Sequence, residues 1–104
     1  MTPVQLCKCL ADETRLRTVA LLSVYDELCV CDLVAVLSLP QPTVSRHLAQ
    51  LRDCGLLCVR RDAQWSYYRM ADDLPGWAAD VIDSLSSPLL KASPELTRSA
   101  AACC

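Results

Sequence analysis

Two thiols stand one residue apart in Glu27-Leu28-Cys29-Val30-Cys31-Asp32-Leu33-Val34, an otherwise largely apolar run. They belong to a set of eight cysteines, with Cys7, Cys9, Cys54, Cys58, Cys103 and Cys104. Such a set can hold a soft ion, sense oxidation, staple a fold or fill a core. In a regular helix residues i and i+2 lie about 200° apart, so Cys29 and Cys31 could not both grip one small ion. In an extended segment they share a face, and local adjustment can bring their sulfurs together. The spacing therefore asks for a non-helical or unwound backbone.

The compartment bears on what these thiols do. Met1-Thr2-Pro3-Val4-Gln5 lacks the basic start and long apolar stretch of a signal peptide. No apolar run approaches the roughly 20 residues of a membrane span. The expectation is a cytoplasmic protein with no membrane partner, whose cysteines stay reduced instead of building a disulfide framework. Cys54 and Cys58 read as packing residues. Nothing points to an enzyme. There is no Cys-x-x-Cys redox pair and no signal for a catalytic Cys–His pair, and two glycines, Gly55 and Gly76, cannot make a phosphate loop.

The elements that position these residues follow from caps and periodicity. With 104 residues, 53 % hydrophobic and 21 % charged, the chain predicts one globular domain. Thr2 caps a helix that starts at Pro3, closes a capping box with Gln5 and runs to about Leu10. Asp12 caps the next, in which Leu16, Val19, Ala20 and Val24 recur at helical spacing. Residues 28–30 can be briefly extended. Asp32 opens a short helix with Leu33, Val36 and Leu37 on one face, and Ser38-Leu39-Pro40 ends it. Another helix starts at Gln41-Pro42, runs to Cys54 and stops at Gly55. Segments 57–61 and 65–70 read as hairpin strands separated by Asp62-Ala63-Gln64. Trp77, Val81, Ile82 and Leu85 stripe a last helix, and from Ser86 the prolines and small residues predict a loosely ordered tail. The order is α-α-α-α-β-β-α with room for a short extra strand near 28–30. That is a mainly α fold with a small β-hairpin, a winged helix-turn-helix.

Along 42–54, Val44, Leu48 and Leu51 fall within about 60° of one another and form a buried face. Thr43, Arg46, His47 and Gln50 cluster opposite, a donor-rich face that suits base edges and phosphates in a major groove. Ser45 at its margin can reach a phosphate. Arg60 and Arg61 precede the hairpin tip and can reach the DNA backbone. Gln41 and Gln64 complete the candidate DNA-contacting set. The net charge of −2 announces no nucleic-acid binder, and its distribution says more. Residues 41–69 hold five arginines against two aspartates, while the rest holds five basic and ten acidic residues.

Taken together these stretches resemble the ArsR/SmtB winged-helix metalloregulators, and within them the arsenic-responsive repressors. Cys9-Leu10-Ala11-Asp12-Glu13-Thr14-Arg15-Leu16 is similar to the family's second-helix opening and Glu27 to Leu33 to its arsenic-binding motif. Gln41-Pro42-Thr43-Val44-Ser45-Arg46-His47-Leu48 resembles its recognition helix; Trp65 to Arg69 and Leu74-Pro75-Gly76-Trp77 resemble its wing and last helix. The resemblance implies a homodimer with the first and last helices at its interface, bound to an imperfect inverted repeat in double-stranded operator DNA of an arsenic-resistance operon. It implies release when trivalent arsenic or antimony binds. On that reading 1–90 is the DNA-binding and dimerisation domain and 91–104 a flexible Cys-bearing tail.

Cys29 and Cys31 are the primary ligands the resemblance implies for a thiophilic trivalent arsenical. Val34 stands where the family's motif has a third cysteine, and Ala63 where its wing tip has a glycine. A third thiolate can come from Cys103 or Cys104, which can also form a separate site, or less favourably from Cys7 or Cys9 across subunits. Two thiolates alone would suit a methylated arsenical. Alternatives are a repressor that senses cadmium, lead or zinc, or thiol oxidation, and, more remotely, a thiol enzyme or arsenic carrier.

Overall fold

Thr2 begins α1 (Pro3–Leu10) as expected: its hydroxyl accepts the Gln5 N–H at 3.2 Å, and the Gln5 side chain accepts the Thr2 N–H at 2.7 Å. The structure, a computed structural model, describes residues 1–94 and 96. Asp12 caps α2 (Glu13–Val24) by accepting the Arg15 N–H at 3.1 Å. Then come β1 (Leu28–Cys29), α3 (Val30–Leu37), α4 (Gln41–Asp53), β2 (Leu57–Asp62), β3 (Trp65–Met70) and α5 (Gly76–Ala92).

The sheet order is β1-β3-β2, all antiparallel. The extra strand near 28–30 is thus real, and it ties the Cys29 segment to the wing through Leu28↔Tyr68 and Cys29↔Tyr67. Helix α2 runs through the centre, with Val19, Ala20 and Leu21 fully buried. Around it pack Leu33 of α3, Val44, Leu48 and Leu51 of α4, Tyr68 of β3 and Ile82 of α5. The buried face deduced for α4 is the observed one.

Two turns use left-handed backbone without glycine. Ser38 ends α3 at φ 55°, its N–H bonded to the Val34 carbonyl at 3.0 Å. Ala63 takes φ 55° at the wing tip, so the conformation a glycine would adopt freely is kept at some steric cost. Gly55 follows α4 at φ 86°, the stop read from sequence.

The C-terminal expectation needs correction. Helix α5 does not loosen at Ser86; it runs through Pro88 to Ala92. Proline removes one backbone hydrogen bond there, but the buried stripe Ala78, Ile82, Ser86 continues to half-buried Leu90 and outweighs that loss. The Ser86 hydroxyl donates to the Ile82 carbonyl at 2.7 Å, and Leu96 beyond the helix is buried in the core.

Candidate thiol site and nucleic-acid interface

Cys29 ends β1 in extended conformation (φ −81°, ψ 163°) and is at once the N-cap of α3, while Cys31 lies in that helix's first turn. The strand-to-helix boundary falls between the thiols, so they approach without any unwinding of the helix. The non-helical backbone expected from the spacing is present at Cys29, whereas Cys31 is already helical. The ligand atoms of Cys29, Cys31 and Asp32 all lie within 4.8 Å of one another. Asp32 was expected only as a helix opener. Here its carboxylate accepts the Cys29 N–H at 3.0 Å, while its own N–H faces the Cys29 sulfur. This is a capping box with a thiol where serine or threonine is usual. The signal lay in the spacing Cys-x-x-Asp, hidden because cysteine is not a usual cap.

Cys29 is buried and Cys31 exposed, so a ligand reaches the pair through Cys31. Burial, foremost, then hydrogen bonding with Cys31 and Asp32, pushes the Cys29 thiol up to about 11 from its ordinary 9.0. It therefore stays protonated at neutral pH and binds only what can displace that proton. Val34 and Cys31 line one cavity, of about 420 Å³, with Ala35, Gln41 and the wing residues Gln64, Trp65 and Ser66.

The remaining cysteines separate. Cys9 and Cys54 are joined in a disulfide, with Cα atoms 6.6 Å apart across 45 residues of sequence. This corrects two expectations: Cys9 is no free ligand in this state, and Cys54 does more than pack. The expectation failed because it weighed compartment and near-neighbour pairs, whereas this contact is made by the fold. Arg15 assembles it, donating to the Cys9 carbonyl at 2.7 Å, the Lys8 carbonyl at 3.2 Å and the Gln50 side chain at 3.0 Å. Cys7 is an exposed thiol and Cys58 a half-buried one. Cys103 and Cys104 lie outside the described residues.

The residues read as DNA-contacting fall into two groups. Gln41, Thr43, Ser45 and Arg46 stand on the outer side of the first turns of α4, Gln41 donating to Ser45 at 3.1 Å. Arg46 is exposed and has no partner among the described residues. His47 and Gln50 instead engage partners on the α1–α2 corner. The His47 side chain is only 12 % exposed, with Nδ1 3.8 Å from Asp12, and Gln50 is held by Arg15. Asp12 in turn is kept below the ordinary carboxylate range, first by the Arg15 N–H and then by His47. On the wing, Arg61 donates to Ser66 at 3.0 Å and Gln64 is exposed at the tip. Arg60 forks onto Glu27 with bonds of 2.7 and 3.1 Å and lies 4.5 Å over the Tyr67 ring. Tyr67 faces Cys29 across the sheet. No local pattern signals Glu27–Arg60, a pairing of residues 33 apart.

Comparison with known proteins agrees with this architecture. Residues 12–58 match the family model described as "Bacterial regulatory protein, arsR family". The "Arsenical resistance operon repressor" of Escherichia coli (strain K12) is 54 % identical over 83 residues, covering 80 % of this chain and 71 % of that one. Among solved structures, the transcriptional regulator HlyU from Vibrio vulnificus CMCP6 superposes with a TM-score of 0.71 at 38 % identity, covering 82 % and 84 % of the two chains. The AntR antimony-specific transcriptional repressor gives 0.70 at 28 % identity, covering 88 % and 79 %. A matching family model, a close relative and a winged helix-turn-helix with an outward polar recognition face agree: the chain belongs to the arsR family of bacterial regulatory proteins and is a DNA-binding transcriptional repressor, not an enzyme.

Proposed function

We propose that this chain works as a homodimer on an imperfect inverted repeat in the operator of an arsenic-resistance operon, and leaves it when trivalent arsenic or antimony binds Cys29 and Cys31. The observation that carries this reading is the cluster of Cys29, Cys31 and Asp32 at the joint between β1 and α3. Two soft sulfurs suit a thiophilic metalloid better than a hard cation. The relatives' names, an arsenical repressor and an antimony repressor, point the same way.

The joint is mechanically placed for release. When Cys29 turns its sulfur to a ligand, the Asp32 N–H loses its cap and the first turn of α3 shifts. Leu33 and Leu37 then move against the core that carries Val44 and Leu48 of α4. On the other side Cys29 is paired with Tyr67, which carries Arg60 and the wing. Both DNA-contacting elements are thus reached from one residue. A coupling of about 1–3 kcal/mol lowers DNA affinity roughly 5–150-fold.

The dimer reading rests on exposed apolar surface. Trp77, Val81 and Leu85 recur every four residues along α5 at about 40 % exposure each, and Val4 of α1 is 63 % exposed. A stripe of this kind asks for a covering surface, and a second copy supplies the same helices about a two-fold axis.

The test is a labelled duplex of the promoter region upstream of the protein's own coding sequence, titrated with arsenite and antimonite. Wild type should dissociate, and Cys29→Ser/Cys31→Ser should stay bound. Release of that variant at the wild-type concentration would sink the proposal.

A further inference from the structure

Nothing in the release of DNA by a metalloid uses the bridge between Cys9 and Cys54. It joins the last turn of α1 to the residue that caps α4. We propose that Cys9 and Cys54 form a reversible redox-modification site, separate from Cys29 and Cys31, whose closed form fixes the recognition helix and tightens operator binding, and which a small thiol opens.

The two sulfurs differ in access. Cys9 is buried and Cys54 exposed. Both border a cavity of about 650 Å³ with Lys8, Asp53, Gly55 and Asp73. A small thiol entering there meets the Cys54 sulfur first. Its thiolate bonds to Cys54, the Cys9–Cys54 bond breaks, and the Cys9 sulfur leaves and takes a proton. A second equivalent displaces the Cys54 thiolate, which is protonated in turn, and departs as the small-molecule disulfide. Closure runs the other way. A disulfide such as oxidised glutathione accepts two electrons from the dithiol and leaves as two thiols. Both cysteines sit at helix C-termini, where the carbonyl ends disfavour a thiolate, so the pair is poised toward the closed form.

The bridge matters to DNA reading because of what else holds α4. Its C-terminal half is fastened to the α1–α2 corner by Arg15–Gln50 and approached by Asp12 at His47. The bridge is the covalent member of that set. Opening it leaves the exposed Arg15–Gln50 bond, the approach of Asp12 to His47 and the packing of Val44, Leu48 and Leu51 to orient the outward face of Thr43, Ser45 and Arg46. A less preorganised face binds more weakly.

The experiment uses the full chain, oxidised with oxidised glutathione or reduced with a phosphine, and the promoter duplex named above. Alkylation with mass mapping counts free thiols, and fluorescence anisotropy gives affinity. Oxidised protein should lose two alkylatable thiols, those of Cys9 and Cys54. It should bind about 3–10-fold more tightly than reduced protein, reversibly. Cys9→Ser and Cys54→Ser should each behave as permanently reduced, whereas Cys29→Ser/Cys31→Ser should keep the full shift. Oxidation that pairs other thiols, or oxidised and reduced wild-type proteins with affinities within about twofold, would overturn the proposal; neither outcome depends on a variant folding.

Discussion

Cys29 and Cys31 sit where a strand enters the N-terminus of α3, whereas Cys9 and Cys54 sit where α1 and α4 end. The first pair is two thiols beside a carboxylate; the second is one covalent bond. The partial charges at a helix start favour thiolates and those at a helix end disfavour them. At Cys29 burial overrides that preference and keeps the thiol protonated. The same residue type thus gives a pair of thiols beside a carboxylate in one place and a crosslink in another. Backbone context, more than residue identity, decides which.

The sharpest way to break this contrast is to ask each pair to do the other's work. Cys31→Ser should raise the arsenite concentration for DNA release by about 100-fold or more, because one coordinate bond is lost, whereas Cys9→Ser/Cys54→Ser should shift it by less than about threefold. Equal losses would merge the two sites into one.

Stability should reverse the ranking. The bridge closes a loop of about 45 residues that contains the whole helix-turn-helix, which the chain-entropy view values at roughly 3–4 kcal/mol. Reduction should lower Tm by on the order of 10 °C or more. Cys29→Ser, which substitutes a better capping group, should move Tm by no more than about 3 °C. Thermal unfolding followed by circular dichroism reads both.

The proton held by Cys29 gives a smaller, diagnostic effect. Arsenous acid exchanges hydroxyls for thiols and releases water, so its apparent affinity should be nearly flat between about pH 6 and 8.5. Cadmium must expel a proton from Cys29, so its affinity should rise steeply over the same range. An arsenite response as steep as cadmium's would contradict the assignment of a protonated Cys29. The folded state holds this proton more tightly than the unfolded chain, so its contribution to stability is complete below pH 9 and lost as pH rises from there towards about 11.

The smallest effect concerns the wing beside the thiol pair. Glu27→Gln frees Arg60 from its carboxylate and should raise operator affinity by no more than about threefold, with a steeper salt dependence. Anisotropy titrations at two salt concentrations check it.

The sequence made local features legible. The Thr2–Gln5 box, the Asp12 cap, Gly55 and the Val44–Leu48–Leu51 face each depend on residues within a turn or two, and each is where the pattern placed it. What escaped was long-range or went against propensity. Cys9–Cys54, Glu27–Arg60 and the partners of His47 and Gln50 depend on elements that meet only after folding. Pro88 reads as a terminator, yet the helix carries on because its buried stripe does. The closeness of Cys29 and Cys31 was legible from spacing, but the capping role of Cys29 and the approach of Asp32 to both thiols were not.

The turn between α3 and α4 is tightly constrained. Ser38 turns left-handed while its N–H closes the last turn of α3 on Val34, and Pro40, whose ring fixes φ, accepts from both Thr43 and Val44. A connector so constrained has almost no slack. The two helices therefore behave as one bent lever with its pivot at the corner, and a small tilt at the Cys31 end reappears at Arg46 as a change of angle instead of being absorbed in a loose loop. Ser38→Gly would soften the corner and let the thiol end move without dragging the reading end along, so that inducer binding and DNA release would come apart while each remained intact.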